Sequence, residues 1–575
     1  MATTLASNGA PSATASPDLP RGLTRFDLIP ALATLVALIM ATVIHSFFIW
    51  PAPVQVGFDE GYEAAVVERI IDGSFLPYVD GLSHRGPFLY WTQAIFHLIF
   101  GRFEWTGTRF LALGAALTTG SCTFLAAWAA GWPVAGALAA LLNVFITCAV
   151  IGTGGGIGVH GEPVAVAYLA LGFFLVSYAL NRARSPRLRM GLLIAGGVFT
   201  AVCGLTKQTL AVASIPLFFW VLVHPSAMPA ATPPATRWFR RWLRHGAVQF
   251  AGGGIALVLL VLLRYAIAGE LGTFYFWSLG FNAKVYLGPF EGLLEQLGRW
   301  FWRSAWAMCG TALALLLLAR PLSFVDGRSF RGLLAGMRGA SFEFVVASMA
   351  LTLLAAAALP LRFWDHYFLP IYPFFGLIFG VFAESATRRG ARVPRPAQAA
   401  VLLVGCVMAV THPLQMLKHL HTQRKAGSWL SHRPDPACAE IDRLAGAGHT
   451  PIFIWGTIGD LYITCRRPSA SMFTYTTVLA GIIPPSWRPD PNRVTPGTRE
   501  TLLRELNEAR PPVIIDYPIS RGGGMTDIPM FAQYLRTSYC SVPNVKDKRE
   551  RDLMFYVRKD LDACKVTPAS EGNRR

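Results

Sequence analysis

The sequence predicts a polytopic α-helical membrane protein that carries a small α/β domain at its C-terminal end. Of its 575 residues, 53% are hydrophobic and only 15% are charged, whereas soluble proteins contain about 25% charged residues. The apolar residues are grouped in blocks of roughly 20, the length of helix that crosses a bilayer. After residue 412 the blocks give way to short runs typical of strands and amphipathic helices.

The apolar blocks predict about eleven transmembrane helices. Their provisional boundaries are 27–49, 107–130, 132–151, 163–180, 190–205, 208–224, 247–268, 301–319, 342–360, 367–384 and 397–412. We therefore divide the chain into a disordered cytoplasmic tail (1–26), a transmembrane catalytic domain (27–412) and an extracytoplasmic α/β domain (413–575). The first external loop, 50–106, is too long for a simple turn.

The formal charge of +18 does not indicate nucleic acid, because the arginines lie in short loops between the predicted spans. Four loops hold them: Arg182, Arg184, Arg187 and Arg189; Arg237, Arg240, Arg241 and Arg244; Arg320, Arg328, Arg331 and Arg338; Arg388, Arg389, Arg392 and Arg395. Basic short loops stay in the cytoplasm during insertion. This pattern predicts a multi-pass bacterial inner-membrane protein with a cytoplasmic N-terminus and a periplasmic C-terminal domain.

The C-terminal region contains short β-branched runs at 450–456 and 511–517, and DLMFYVRK near the end is typical of another strand. Four of the nine cysteines lie in this region: Cys438, Cys465, Cys540 and Cys564. An oxidising compartment would allow two disulfides, but the sequence leaves three connectivities open. No Cys/His spacing indicates zinc.

In the first external loop, VGFDEGYEAA places the acidic pair Asp59-Glu60 at the start of a short predicted helix that runs to Ile71. Asp59 has a simple structural interpretation as the helix cap. FLYWTQAIFHLIFG, which begins at Phe88, is too short to span a bilayer comfortably, and we interpret it as a helix lying on the outer membrane surface.

Most ionisable residues of the membrane region share the predicted external face. They are Asp59, Glu60, Glu63, Asp80, His84, Arg85, His160, Glu162, Lys207, Arg362, Asp365 and His366. Charged groups at this depth are costly and usually line a cavity. A carboxylate there can serve as a general base, and the cations can neutralise a phosphate. Together they indicate transfer of a group from a phosphate-linked lipid.

Several segments resemble the polyprenyl-phosphate-sugar glycosyltransferases of the GT-C superfamily, which include protein O-mannosyltransferases and aminoarabinose transferases. The similar segments are GFDEGYEAAVVERIIDGSFLPYVDGLSHRGPFLYW, GEPVAVAYLALGFFL, GLTKQTLAVASIP, RFWDHYFLPIYPFF and, in the C-terminal region, IFIWGTIGDLYITCRRPSA. Together they extend over most of the chain. Many members have Lys-Pro-Pro where this chain has Arg85-Gly86-Pro87, which keeps one cation and alters the turn.

The resemblance implies an inverting transfer of a monosaccharide from a polyprenyl-phosphate donor to a hydroxyl of a lipid, glycan or protein acceptor such as lipopolysaccharide. Asp59 would be the general base, and Glu60 would orient a substrate or bind a metal. Some relatives use a divalent metal (Mg or Mn), but no clear ligand set is present here. The implied donor-phosphate ligands are His84, Arg85, Lys207, Arg362 and His366; the implied acceptor or sugar contacts are Tyr62, Glu162 and Tyr367.

Other interpretations stay open from the residues alone. His84 and Arg85 could extend to lipid headgroups, Glu162 could cap its own span, and Lys207 could anchor an interface. The alternative function is a transporter or lipid-phosphate-binding protein that uses the same charges as a pathway, although no internal repeat is present. The glycine run at 152–158 lies between two spans with no preceding strand, so we reject a nucleotide site. The sugar, the acceptor, the lipid length and the oligomeric state are not encoded in any motif.

Overall fold

The computed structural model describes residues 28–49, 58–151, 161–227, 245–286, 341–359, 365–388, 414, 418, 435–482, 489–518, 523–547 and 550–566. The N-terminal part of the described chain is helical. Its α-helices are α1 (Leu28–Ile49), α2 (Phe58–Asp72), α3 (Pro87–Phe100), α4 (Trp105–Ala129), α5 (Pro133–Ile151), α6 (Gly161–Asn181), α7 (Pro186–Thr206), α8 (Ser214–Val223), α9 (Gly246–Ile267), α10 (Leu271–Tyr275), α11 (Phe281–Tyr286), α12 (Ser341–Ala358) and α13 (Tyr372–Arg388).

Six segments of the described chain are helical, long and apolar enough to cross a membrane, which confirms the prediction of a multi-pass membrane protein. They are Leu28–Ser46, Trp105–Ala129, Gly161–Asn181, Pro186–Thr206, Gly246–Ile267 and His366–Glu384. The predicted spans 301–319 and 397–412 lie outside the described residues, so the count of about eleven stays a prediction.

The predicted span 208–224 is not one continuous α-helix. Residues Gln208–Ala213 form a 3₁₀ turn, and only the ten residues of α8 are α-helical. Pro216 has no N–H to donate to the carbonyl four residues earlier, so the regular α-helical ladder cannot extend back through this segment. A 3₁₀ segment, Asp365–Ile371, likewise precedes α13.

Small residues allow the long helices to approach closely. A Cβ at Gly197 on α7 would overlap the carbonyl oxygen of Phe250 on α9, and a Cβ at Gly253 would overlap the carbonyl oxygen of Ile194. Such contacts between backbones are typical of helix packing in lipid, where small residues line the interface.

Arginine side chains hold helix ends on the face predicted to be cytoplasmic. Arg182 donates to the carbonyl oxygens of Trp128 and Ala129 at the end of α4, each at 3.1 Å. Arg189 donates to the Ser226 carbonyl at 2.8 Å. Cations at helix C-termini satisfy carbonyls that have no partner within the helix.

Between α1 and α4, the helices α2 and α3 are the two short helices that the sequence predicts. Asp59 lies in the first turn of α2 rather than at its cap, because the helix already begins at Phe58. On α3, Leu89 and Tyr90 are buried, whereas Ile99 is exposed. This one-sided burial fits the predicted surface helix, whose position relative to lipid stays a prediction.

The C-terminal part of the described chain contains a four-stranded sheet with short helices. Its elements are α14 (Pro436–Ala445), β1 (Phe453–Trp455), α15 (Asp460–Thr464), α16 (Thr477–Ala480), α17 (Thr498–Ala509), β2 (Val513–Asp516), α18 (Pro529–Ser538), β3 (Tyr539–Lys546), β4 (Asp552–Arg558) and α19 (Asp562–Val566). The strand order is β1-β2-β4-β3. Among the strand pairs of this sheet, only β1 and β2 are parallel, and there Phe453 pairs with Ile514. In the antiparallel pair of β2 and β4, Ile514 pairs with Tyr556.

Strands β1, β2 and β4 lie at the three runs predicted to be strands, whereas β3 is not predicted by the sequence analysis. Pro543 interrupts its alternating pattern, and the pairing of β3 with β4 shifts register between Val542 and Val545. Proline is tolerated at such an edge strand. Of the three open disulfide connectivities, the structure has Cys438–Cys465 and Cys540–Cys564.

The C-terminal region packs directly on the segment that connects α1 to α4. A Cβ at Gly61 of α2 would lie 2.6 Å from the backbone nitrogen of Asp460. The rings of Tyr62 and Tyr475 stack with centroids 4.7 Å apart, and the Leu82 N–H donates to the Met472 carbonyl at 2.9 Å. The sheet region and the described residues 58–106 therefore lie on the same side of the long apolar helices.

The close packing of α7 on α9 predicts the effect of a single methyl group. We expect Gly197→Ala to lower the free energy of unfolding by about 1–3 kcal/mol, because the backbones must separate. The matched control is Gly252→Ala on the same helix pair, where nothing lies within 4 Å of an added Cβ and alanine favours the helix by up to about 1 kcal/mol. Thermal unfolding in detergent measures both, and equal midpoints would contradict the packing.

Candidate functional site

Arg85 lies at the centre of a buried cluster of carboxylates. Its Nη2 is 2.6 Å from Asp59 Oδ2, its Nε is 2.7 Å from Glu63 Oε1, and its Nη1 is 4.0 Å from Glu162 Oε2. Only 4% of the Arg85 side chain is exposed. A buried charge needs such partners, because leaving it without them costs several kcal/mol. The ion pairs therefore fix α2, the turn before α3 and the start of α6 relative to one another.

The neighbours Asp59 and Glu60 point in different directions. Asp59 and Glu63 are four residues apart on α2 and therefore share one helix face, which faces Arg85. Glu60 is fully buried, and its Oε1 lies 2.5 Å from Nη1 of Arg109 on α4. Asp59 keeps 21% exposure. Of the two predicted catalytic acids, Asp59 is thus the more accessible, and Glu60 fixes α2 to α4.

Glu162 connects the two cations of the site. Its Oε1 lies 2.7 Å from Lys207 Nζ, and its other oxygen faces Arg85. Lys207 Nζ is also 4.9 Å from the centre of the Tyr367 ring. The carboxylate predicted to contact acceptor or sugar therefore lies between a guanidinium and an ammonium group.

A cavity of about 200 Å³ opens beside these ion pairs. Its lining consists of His84, Arg85, Glu162, Lys207, Gln208, Thr209, Leu210, Asn282, Ala283, Ala356, Ala357, Leu359, Tyr367 and Pro370. Charged and polar groups thus adjoin small apolar side chains from α12. A cavity with cations beside an apolar wall suits an amphiphile whose head group is an anion.

His84 lines this cavity as a neutral imidazole. Burial, and then the charges of Arg85 and Lys207, lower the pKa of His84 to about 3. Its ring lies 6.0 Å from the ring of Phe281. At neutral pH this side chain can donate a hydrogen bond to a phosphate but adds no positive charge, in contrast to the cationic role that the sequence analysis assigns to it.

The other predicted site residues take different positions. Tyr62 is buried against Tyr475 and so faces the C-terminal region; this burial raises the pKa of the Tyr62 hydroxyl. Tyr367 lines the cavity, and the His366 ring packs against it with centroids 4.7 Å apart. Arg362 lies outside the described residues.

Several residues that shape the site have no individual role in the sequence-based prediction. For Glu63 the sequence contains a signal, because it follows Asp59 by four residues and therefore shares its helix face. The signal for Arg109 is its position as a lone cation near the start of an apolar helix. Asn282 has no signal in the sequence, because its contacts arise only in the folded chain. Within the described ranges, no three His, Cys, Asp or Glu side chains are grouped to hold a metal ion. The three carboxylates around Arg85 are paired with its guanidinium group.

The described fold resembles that of a protein whose structure has been solved. Comparison with protein-family models finds no match, and no curated protein matches the sequence. Among solved structures, ArnT from Cupriavidus metallidurans bound to undecaprenyl phosphate superimposes with a TM-score of 0.51 at 16% identity, covering 91% of this chain and 97% of that one. The apo state of ArnT gives 0.50 at 15% identity, with 94% and 99% covered. The resemblance drawn from the sequence is thereby confirmed at the level of the fold, which this chain shares with ArnT.

The buried Glu60–Arg109 pair predicts a large loss of stability when one partner is removed. We expect Arg109→Leu to cost about 3–5 kcal/mol, because Glu60 then lacks its guanidinium partner in a buried site. Replacing both residues by Met should recover most of this loss, since no buried charge remains. Thermal unfolding of the single and double variants measures the difference, and an Arg109→Leu protein as stable as wild type would contradict it.

The neutral His84 predicts a specific dependence of stability on pH. The unfolded chain protonates His84 below about pH 6.5, whereas the folded chain does so only near pH 3. The folded state therefore loses stability as the pH falls below 6.5, by at most about 1.4 kcal/mol per pH unit. We expect His84→Gln to lose less stability than wild type between pH 6.5 and 4.5 in denaturant titrations. Parallel pH profiles would show that His84 is protonated in the folded chain.

Proposed function

We propose that this protein is an integral membrane glycosyltransferase that transfers a monosaccharide from a polyprenyl-phosphate donor to an acceptor hydroxyl. The observation that carries the proposal is the cavity in which Arg85 and Lys207 lie beside an apolar wall and next to a partly exposed carboxylate, Asp59. The fold shared with ArnT, a structure of which holds undecaprenyl phosphate, supports the same kind of ligand.

The donor phosphate would occupy the cavity near Arg85 and Lys207. Arginine offers several N–H donors in a fixed plane and lysine a compact charge, and both suit phosphate oxygens. The apolar side of the cavity, with Ala356, Ala357 and Leu359, would receive the first part of the prenyl chain. The sugar would then lie toward Asp59 on α2.

In the proposed reaction, Asp59 accepts the proton of the acceptor hydroxyl. The hydroxyl oxygen forms a bond to the anomeric carbon as the bond between that carbon and the phosphate oxygen breaks, so the configuration inverts. The bonding electrons leave with the lipid phosphate, whose growing negative charge Arg85 and Lys207 stabilise.

The remaining parts of the proposal concern placement. Loop 50–106 and the C-terminal region share one face, which we assign to the periplasmic side of a bacterial inner membrane, with a cytoplasmic N-terminus. The C-terminal α/β domain would help bind the acceptor, which is a lipid, a glycan or a protein. The eleven-helix count and the domain limits at 26 and 412 belong to this proposal.

The proposal predicts a large loss of transfer in Asp59→Asn. We expect the rate to fall by about 10²–10⁴-fold, the usual contribution of a general base, with donor binding retained. The assay follows labelled sugar from a panel of polyprenyl-phosphate monosaccharides to membrane extracts. Asp72→Asn is the matched control, because Asp72 ends the same helix, pairs with Arg102 and is 47% exposed.

Two outcomes of this assay would contradict the proposal. Equal transfer by wild type and Asp59→Asn would remove Asp59 from catalysis. No transfer by wild type from any donor, with specific polyprenyl-phosphate binding retained, would favour a transporter or lipid-phosphate-binding protein instead.

A further inference from the structure

The backbone carbonyl of His84 accepts hydrogen bonds from two amide side chains. Gln208 Nε2 donates at 3.2 Å from the 3₁₀ turn after α7, and Asn282 Nδ2 donates at 2.8 Å from α11. Both donors line the cavity. Because a carbonyl oxygen has two lone pairs, these two side chains use its full capacity, and they come from elements far apart in the sequence.

The next two residues are fixed in a similar way. The Tyr78 hydroxyl donates to the Arg85 carbonyl at 2.5 Å, and the Gly86 N–H donates to the Thr206 carbonyl at 3.2 Å. A Cβ at Gly86 would overlap the carbonyl oxygen of Leu205. A proline at position 86 would lack the N–H for this bond. The Arg-Gly-Pro sequence thus permits a contact with α7 that Lys-Pro-Pro would not.

We propose that Gln208 and Asn282 are positioning residues that hold the His84–Arg85 peptide and thereby keep the Arg85 guanidinium between its carboxylates and facing the cavity. The expected effect on the KM for the polyprenyl-phosphate sugar rests on the proposed function. The positioning of Arg85 by Gln208 and Asn282 does not depend on that function.

The hydrogen bonds of Asn282 support this role. Its Nδ2 also donates to the Ser278 carbonyl at 3.1 Å, so both amide hydrogens are used and the side chain is fixed in orientation. Asn282 thereby connects the helical segment 271–286 to the Arg85 turn. A displacement of about 1 Å in a residue that orients a reacting group can cost about 10²-fold in rate. Loosening the His84–Arg85 peptide would let the Arg85 guanidinium move, and the donor phosphate that it contacts would then bind more weakly.

The test uses Asn282→Ala and Gln208→Ala, with Asn282→Asp as a near-isosteric variant that removes the amide donor. Asn181→Ala is the matched control: Asn181 is also part-buried in a helix and donates to the carbonyl four residues earlier, Ser177, at 2.8 Å. The first measurement is the rate of amide hydrogen exchange in the peptide that contains residues 84–86. The second compares the change in the KM for the polyprenyl-phosphate sugar with the change in kcat in each variant.

We expect exchange at residues 84–86 to rise about 3- to 10-fold in both alanine variants and in Asn282→Asp, and to be unchanged in Asn181→Ala. The donor KM should rise about 10-fold while the acceptor KM stays constant. Exchange that is unchanged in all variants would overturn the positioning role. So would Asn282→Asp with wild-type KM, because the side-chain oxygen would then be the functional atom. Increased exchange in a protein with no transfer activity would overturn the proposed function alone and support the positioning role.

Discussion

The contact of one buried guanidinium with three carboxylates is the interaction on which the rest of the site depends. Arg85 reaches Asp59, Glu63 and Glu162, and these residues come from α2 and from the start of the long apolar helix α6. Without Arg85 the three carboxylates would lose their shared guanidinium partner, which is strongly unfavourable for buried charges. The position of α2, and with it of Asp59, follows from this requirement. Lys207 extends the same set of ion pairs to α7 through Glu162.

This arrangement connects stability with the proposed chemistry. The described cluster contains three carboxylates, of Asp59, Glu63 and Glu162, and two cations, Arg85 and Lys207. The positive charges are therefore already neutralised by carboxylates before a substrate binds. A phosphate that enters the cavity would compete with these carboxylates for the same N–H groups. The cost of that competition makes a fixed backbone around Arg85 useful, and the hydrogen bonds to residues 84–86 provide it.

The sequence predicts the long apolar helices well, because each needs only local composition and length. It also predicts α2, α3 and three of the four strands. The different roles of Asp59 and Glu60 follow from helix geometry, but the sequence does not show that Arg109 lies opposite Glu60, since that contact joins residues 49 apart. The neutral state of His84 depends on burial, on its sequence neighbour Arg85 and on Lys207, which only folding brings close. The amide donors on His84 are likewise long-range contacts, which no local pattern encodes.

The most direct test of the central claim is photo-cross-linking with a polyprenyl phosphate that carries a photoreactive group next to its phosphate. If the cavity beside Arg85 holds the lipid phosphate, the label should appear on the peptide that contains Lys207–Leu210 or on the peptide that contains Ala356, Ala357 and Leu359, all of which line the cavity. Unlabelled polyprenyl phosphate should prevent this labelling, and Arg85→Gln should weaken it. Specific labelling confined to other helices would contradict the assignment of the cavity.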